Sequence, residues 1–411
     1  MKLSIMNSGK KNAKSLEIPF LTLSLIFLCM LPVTMIVPVF KDIIKDKLGG
    51  DNLMVSYFMS VAMLGSFLFS PVAGFLSDKY GNRKWFITVF SFLDGILFFL
   101  LSQTKDLGEL HILRFLEGAC HIFVIGLLLS LIADRENDPN SKYHRKGLLL
   151  GIAGMVLSLG VGLGSPLGIL GRKNPDIPFL FAGALMIFIG LVSLIFLNDY
   201  EYHYFKKINL KDWFKAFNEN RLLVVPYSYN FIDRFTVGFF VTSFNLHLRE
   251  DLGLSSGQVG IYLSLVLLPM SIFSLPFALL SRKTGATILV MVGSLVYGIS
   301  LSISGFILDT QLLVWVLLLC GMGAGVMFVP SMIMAASMAK REYNASVMAG
   351  FTGFGSIGFM LGPICSVFLL NYLQKVYKEN SFGILSAGFG LLEVLIVIFT
   401  VPIYKRLREA V

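Results

Sequence analysis

Arg114, Glu117 and His121 stand at i, i+3 and i+7 of an otherwise apolar run, and Asp233 and Arg234 stand side by side in another. On a helix, the first three share one face, and Arg114 and Glu117 are close enough to pair directly. A charge at the centre of a bilayer costs about 2.5–3.5 kcal/mol on insertion scales, so each one needs a reason. Two readings stay open for both sets: a static ion pair, or a site for a charged substrate or a proton. Adjacent Asp233 and Arg234 point roughly 100° apart, so only one of them faces a cavity squarely. Asn230 lies one turn earlier, on the Arg234 side. Arg114, Glu117, Asp233, Arg234 and Asn230 are the candidate substrate and proton site. Asp94 and Glu393 are lone acids in two further runs. A neutral acid turned towards a neighbouring helix is the plainer account of each, and a proton site is the other.

These residues need helices in lipid to position them. Of 411 residues, 55% are hydrophobic and 14% charged, and the mean hydropathy is +0.77. Soluble domains carry roughly 25% charged residues. A spanning helix takes about 20 apolar residues. Twelve runs qualify: 18–40, 54–76, 85–104, 109–133, 146–170, 178–198, 222–248, 257–280, 286–308, 311–339, 344–374 and 381–404. The expected fold class is an all-α integral membrane protein. Residues 1–17 are polar and basic, and the run after them is too long for a signal core, so it reads as an uncleaved first span.

The net charge of +9 does not form the single stripe that nucleic acid requires. Instead, 23 of the 34 Lys and Arg fall in alternate connections together with the termini, and nine fall on the other side. The positive-inside rule then puts both termini in the cytoplasm, for a multi-pass protein of a cytoplasmic or inner membrane. The longest connection, 199–221, sets Ile208, Trp213, Phe214 and Phe217 among lysines. It reads as an interfacial amphipathic helix or as a solvated linker. Four cysteines lie inside apolar runs and five histidines are scattered. None shows metal-ligand spacing, so no metal or cofactor is expected. No nucleophile–base set or phosphate loop suggests an enzyme, and no filter-like segment suggests a channel.

The chain repeats itself. "GVGLGSPLG" from Gly160 and "GFMLGPICS" from Gly358 both run Gly-x-x-x-Gly into a proline. Six plus six spans with an offset near 200 residues is the internal duplication of secondary transporters. Two six-helix bundles follow, 1–198 and 222–411, joined by 199–221. Phe239, Phe240 and Phe244 read as lipid-facing or packing residues, and Met327, Met332 and Met334 as packing or an adaptable wall.

Between spans two and three stands Gly74-x-x-x-Asp78-Lys79-x-Gly81-x-Arg83-Lys84. Gly81 permits a tight turn, and Arg83 and Lys84 suit the cytoplasmic interface. Every defined position matches the loop-2–3 signature of the major facilitator superfamily, which the whole chain resembles. The resemblance implies a cytoplasmic gate, with Asp78 latched to the start of span eleven, here Asn344-Ala345-Ser346. Arg114-x-x-Glu117-Gly118 is similar to the span-four motif of the drug:proton antiporter branch, with Glu for Gln. Gly151, Gly160 and Gly164 are similar to its span-five motif. The sequence then departs: Pro166 sits one place late, and of the two glycines that should follow only Gly168 stands. The glycines let helices approach closely. By this resemblance the chain is a monomeric carrier whose partners are protons, lipid and a small amphipathic or drug-like molecule that it exports. Nutrient uptake, uniport or lysolipid flipping is the alternative for the same fold.

Overall fold

The computed structural model describes residues 8–138, 148–198, 210–338 and 344–410. Six helices form the first half: α1 (Ser8–Met35), α2 (Asn52–Tyr80), α3 (Arg83–Gln103), α4 (Leu107–Asn137), α5 (Leu148–Gly164) and α6 (Ile177–Phe196). A short helix, α7 (Leu210–Glu219), precedes the second half. That half contains α8 (Val224–Phe239), α9 (Asn245–Glu250), α10 (Ser256–Thr284), α11 (Ala286–Ser304), α12 (Thr310–Ser337), α13 (Asn344–Tyr377), α14 (Ser381–Thr400) and α15 (Tyr404–Ala410).

Among the described residues, eleven helices are long and apolar enough to cross a membrane. The remaining expected run, 222–248, is interrupted. It folds as α8, a π-helical turn Phe240–Phe244, and α9. A π turn is commonest where function overrides regular helix geometry. Span one ends in the same way, with a π-helical turn at Lys41–Lys47.

The duplication is visible as packing. A Cβ on Gly160 would lie 2.5 Å from the Phe27 carbonyl oxygen, and one on Gly164 2.3 Å from that of Leu31. In the second half, a Cβ on Gly358 would lie 2.3 Å from the Phe231 carbonyl oxygen, and one on Gly362 2.2 Å from that of Phe235. Thus α5 seats on α1 as α13 seats on α8, at contacts where only hydrogen fits. The relation recurs for α4 on α2 and α12 on α10: a Cβ on Gly118 would lie 2.1 Å from the Ala62 carbonyl oxygen, and one on Gly321 2.3 Å from that of Val266.

Two sequence expectations change. Gly151 is not a packing glycine here, since a Cβ on it would meet no atom within 4 Å. Pro166 does not bend a continuing α-helix. The α-helix ends at Gly164 and the chain goes on as a 3₁₀ helix, Ser165–Arg172, with Gly168 against Pro38, whereas Pro363 stays inside α13. Of the two alternatives for Phe239, Phe240 and Phe244, packing holds, since all three are buried. They stack on neighbours, with Phe239 4.7 Å from Phe389 between ring centroids. Met327 and Met334 are buried packing residues.

Gly81 caps α2 in the left-handed region, at φ +62°, where a Cβ would be strained. Asn82 then caps α3, its Oδ1 accepting from Trp85 N–H at 3.1 Å. Within α7, Ala216 is buried, Phe217 packs on the second-half core and Phe214 is exposed. Ile208 and the Trp213 side chain lie outside the described residues.

Candidate functional site

Each half buries a cluster of polar side chains within its own bundle. In the first half, Arg114 Nη1 donates to Glu117 Oε2 along one face of α4, and the pair is buried. The Arg114 guanidinium also lies 4.8 Å from the centroid of the Phe58 ring on α2, a favourable cation–π geometry. One turn further along α4, His121 Nδ1 lies 2.9 Å from Asp94 Oδ2 on α3. The other ring nitrogen, Nε2, lies 3.7 Å from Cys29 Sγ on α1. One ligand atom each from Asp94, Glu117 and His121 fall within 4.8 Å of one another. Asp94 is therefore not a lone acid. Its partner comes from another helix, and helix rotation made the pair.

The second-half cluster joins α8, α11 and α14. Asp233 is buried, and Arg234 Nε lies 3.3 Å from its Oδ2. Arg234 keeps 23% of its side chain exposed, with the guanidinium 4.4 Å from the centroid of Phe328 on α12. Glu393 is fully buried and accepts from Ser294 Oγ. The Thr236 hydroxyl bridges the helices: it lies 3.0 Å from Tyr297 Oη and beside the Glu393 carboxyl. Glu393, like Asp94, is thus partnered, by α8 and α11. Asn230 faces α13, where Nδ2 donates to the Phe351 carbonyl at 2.6 Å. It serves as a helix tie beside Arg234 rather than as an open hydrogen-bonding group.

Sequence reading missed Cys29, Ser294, Thr236 and Tyr297. The duplication held the usable signal, because the offset near 200 residues aligns Cys29 with Asp233 and Asp94 with Tyr297. Both clusters thereby fall in one layer of the repeated bundle.

The gate residues divide. Arg83 donates to Asp134 at the end of α4, and both are buried. Arg83 is therefore an internal ion pair as well as a positive charge near the turn. Lys79 is exposed and Lys84 half-buried. The side chains of Asp78, Asn344 and Ala345 lie outside the described residues, and Ser346 is buried at the start of α13.

The halves are tied together at the end remote from Gly81. Arg249 on α9 pairs with Asp42, and Lys45 Nζ lies 2.5 Å from Glu250 Oε1. Asn245 Nδ2 donates to the Val37 carbonyl at 2.7 Å. Burial pushes the Asp42 carboxyl above its usual range, and the Arg249 charge opposes that shift. Near this end, α10 meets the 3₁₀ helix after α5, where a Cβ on Gly260 would lie 2.2 Å from the Ser165 carbonyl. Towards the Gly81 end, Gly74, Gly151 and Gly154 face open space.

Two repeated helical bundles that bury charge inside and close at one end are the architecture of a membrane carrier. The sequence model of the Major Facilitator Superfamily matches twice, over residues 22–228 and 227–410. The chain belongs to that superfamily and is a multi-pass membrane transporter. It is 28% identical over 171 residues to the class H tetracycline resistance protein of Pasteurella multocida, covering 40% of each chain. It is 28% identical over 174 residues to the quinolone resistance protein NorA of Staphylococcus aureus, covering 42% of this chain and 43% of that one. The matched stretches thus span less than half the length of either relative. Among solved structures, the nucleoside transporter NupG superposes with a TM-score of 0.74 at 13% identity, over 95% of this chain and 99% of that one. A bacterial homolog of the human lysosomal transporter Spinster gives 0.73 at 14% identity, over 97% of each. A D-xylose-proton symporter gives 0.72 at 14% identity, over 93% of this chain and 96% of that one. At such identities these structures speak to the fold alone.

Proposed function

We propose that this chain exports a small amphipathic or drug-like molecule in exchange for protons, by alternating access. Residues 1–198 and 222–411 are the moving halves, and 199–221 joins them. The observation that carries the reading is the charge balance of the second-half cluster. The cluster holds two acids, Asp233 and Glu393, and one arginine, Arg234, which pairs with Asp233, so the set sums to −1 when both acids are ionised. Neither Asp233 oxygen accepts a hydrogen bond among the described residues, and one Glu393 oxygen is also unpartnered. A surplus buried charge costs several kcal/mol, and one bound proton removes it. Arg234 is the member that stays partly exposed, over the Phe328 ring. A molecule bound there feels whether the proton is present, which is the coupling an antiporter needs.

The names of the two relatives support a drug-like substrate. The distribution of Lys and Arg supports both termini in the cytoplasm of an inner membrane. On that orientation the tied end is external, and the structure is an inward-facing state. The segment from Gly74 to Lys84 is then the cytoplasmic gate, with Asp78 as its latch to α13.

The test uses proteoliposomes holding the purified protein and a fluorescent cationic drug. An imposed pH gradient should drive the dye against its own gradient, with proton movement in the opposite direction. Asp233→Asn or Glu393→Gln should abolish the driven flux and spare dye exchange at equal pH. Flux indifferent to the pH gradient would remove proton coupling and favour uniport. Protons and dye moving the same way would favour uptake.

A further inference from the structure

The outer face of the second half carries a crevice that the transport reading does not use. Midway along their length, α11 and α14 touch: a Cβ on Gly298 would lie 2.6 Å from the Gly390 carbonyl oxygen, and one on Gly390 2.3 Å from that of Gly298. Towards the Gly81 face, α14 stops at Thr400 and the chain passes through a 3₁₀ turn, Val401–Ile403, into α15. An open crevice of about 350 Å³ is left there against the first turns of α11, lined by Ile288, Met291, Val292, Leu295, Val401 and Tyr404. We propose that this crevice seats an acyl chain of an anionic phospholipid whose headgroup is held by Lys405 and Arg408. The proposal stands independently of the transport reading.

The lining is the first support. Every lining side chain is apolar except that of Tyr404, an amphipathic ring of the kind that sits where acyl chain meets headgroup. Ile288, Val292 and Val401 are exposed. On α11 the exposed stripe runs on through Val296, Ile299 and Ile303, so the crevice opens to hydrocarbon. Water takes about 30 Å³ per molecule in the liquid, and a methylene group is much the same size. The crevice therefore has room for about a dozen such groups, most of one acyl chain.

Charge is the second support. α15 carries Lys405, Arg406 and Arg408 against one acid, Glu409, and all four are exposed. None of the three cations has a carboxylate partner among the described residues, whereas Lys41, Lys45, Lys47 and Arg249 at the tied end each have one. Leu407 is fully buried and anchors α15 on the second-half core. Helical spacing then sets Arg408 one turn after Tyr404 on the same face, with Lys405 beside it at i−3. Cations at the mouth and apolar side chains along the wall match an anionic lipid end for end. A second copy of this chain fits less well, because a two-fold contact would set the same uncompensated cations against each other.

The experiment is native mass spectrometry of purified full-length protein with phosphatidylglycerol and phosphatidylcholine of identical chains, in equal amounts. One phosphatidylglycerol per chain should be retained in preference to phosphatidylcholine. Lys405→Gln combined with Arg408→Gln should lower that retention about fivefold for each charge removed and leave phosphatidylcholine unchanged. Val292→Trp fills the crevice and spares the cations, and it should lower phosphatidylglycerol retention by a similar factor. Phosphatidylglycerol with a photoreactive acyl chain needs no variant and should mark α11 and the segment from Val401 to Arg408 in the unsubstituted protein. Equal retention of the two lipids, retention unmoved by either variant, labelling spread over all lipid-facing helices, or a dimer in place of the lipid would each overturn the proposal.

Discussion

The two halves share one packing plan and bury different charges. In the first half, two acids face Arg114 and His121, and Arg114 is sealed between Glu117 and Phe58. In the second half, Arg234 pairs with Asp233 and is partly exposed, and Glu393 is held by the hydroxyl of Ser294. The glycine contacts survived duplication because a single Cβ would collide with a backbone carbonyl at each of them. The polar residues in the same layer had no such constraint, and they diverged. Each half holds two acids and one arginine, and the first adds His121, a base that can take the balancing proton, whereas in the second an acid must take it.

The largest break in that comparison is expected at Arg114. Arg114→Met strands Glu117 in a buried site, at a cost of about 3–5 kcal/mol. Arg234→Met strands the buried Asp233 in the same way, and the smaller loss expected there reflects a pair that is already partly exposed and 3.3 Å long. Thermal unfolding of the two variants side by side measures the difference, and equal losses would mean the halves are not asymmetric. Combining Arg114→Met with Glu117→Met should cost less than the two single changes added, because a shared contact couples them.

Next come the repeated glycines. Gly164→Ala and Gly362→Ala should each destabilise by about 1–3 kcal/mol, since helix backbones must separate to admit the methyl group. Gly151→Ala meets open space in this state and should leave stability unchanged or raise it slightly. Similar losses at Gly164 and Gly362 would sharpen the case for a common packing plan. A loss at one alone would end it.

Glu393→Gln separates charge from packing. Glutamine keeps the hydrogen bond from Ser294, so stability should move by no more than about 1 kcal/mol. Coupling to the pH gradient should nevertheless be lost. A large loss of stability would show that the carboxylate is a structural anchor.

The smallest effect concerns the tied end. The Asp42 carboxyl is raised in the closed form and would return to its usual range in water when that end opens. A group that binds its proton more tightly in one state favours that state as pH falls. Acidifying the face that bears Asp42 should therefore raise the closed population, and Asp42→Asn should flatten the dependence. Cysteine labelling at Val37 reports it, and labelling that rises on acidification would reverse the assignment.

Much of this was open to reading in one dimension. Arg114 and Glu117 pair within a single helix, so their spacing alone brought them together. Gly160, Gly164, Gly358 and Gly362 announced close helix contacts through spacing and repetition. Asp94 with His121, Glu393 with Ser294, and Arg83 with Asp134 were not legible. Each pair joins different helices, and hydropathy does not report how far a helix is rotated about its axis. Membrane spans are apolar on nearly every face, so a lone acid carries no mark of the neighbour it meets.

The sequence by itself determined that the chain lies in a bilayer, with about a dozen spans, a duplicated plan and a charged turn after span two. Those properties rest on the cost of exposing backbone and charge to lipid, which acts on each segment separately. Only the tertiary structure decided that Cys29, Asp94, Glu117 and His121 form one cluster, and that span seven breaks at a π turn. It alone showed that the halves close at the end bearing Asp42 and Arg249. Those outcomes depend on helix rotation and on which carbonyl each glycine meets, and packing between segments sets both.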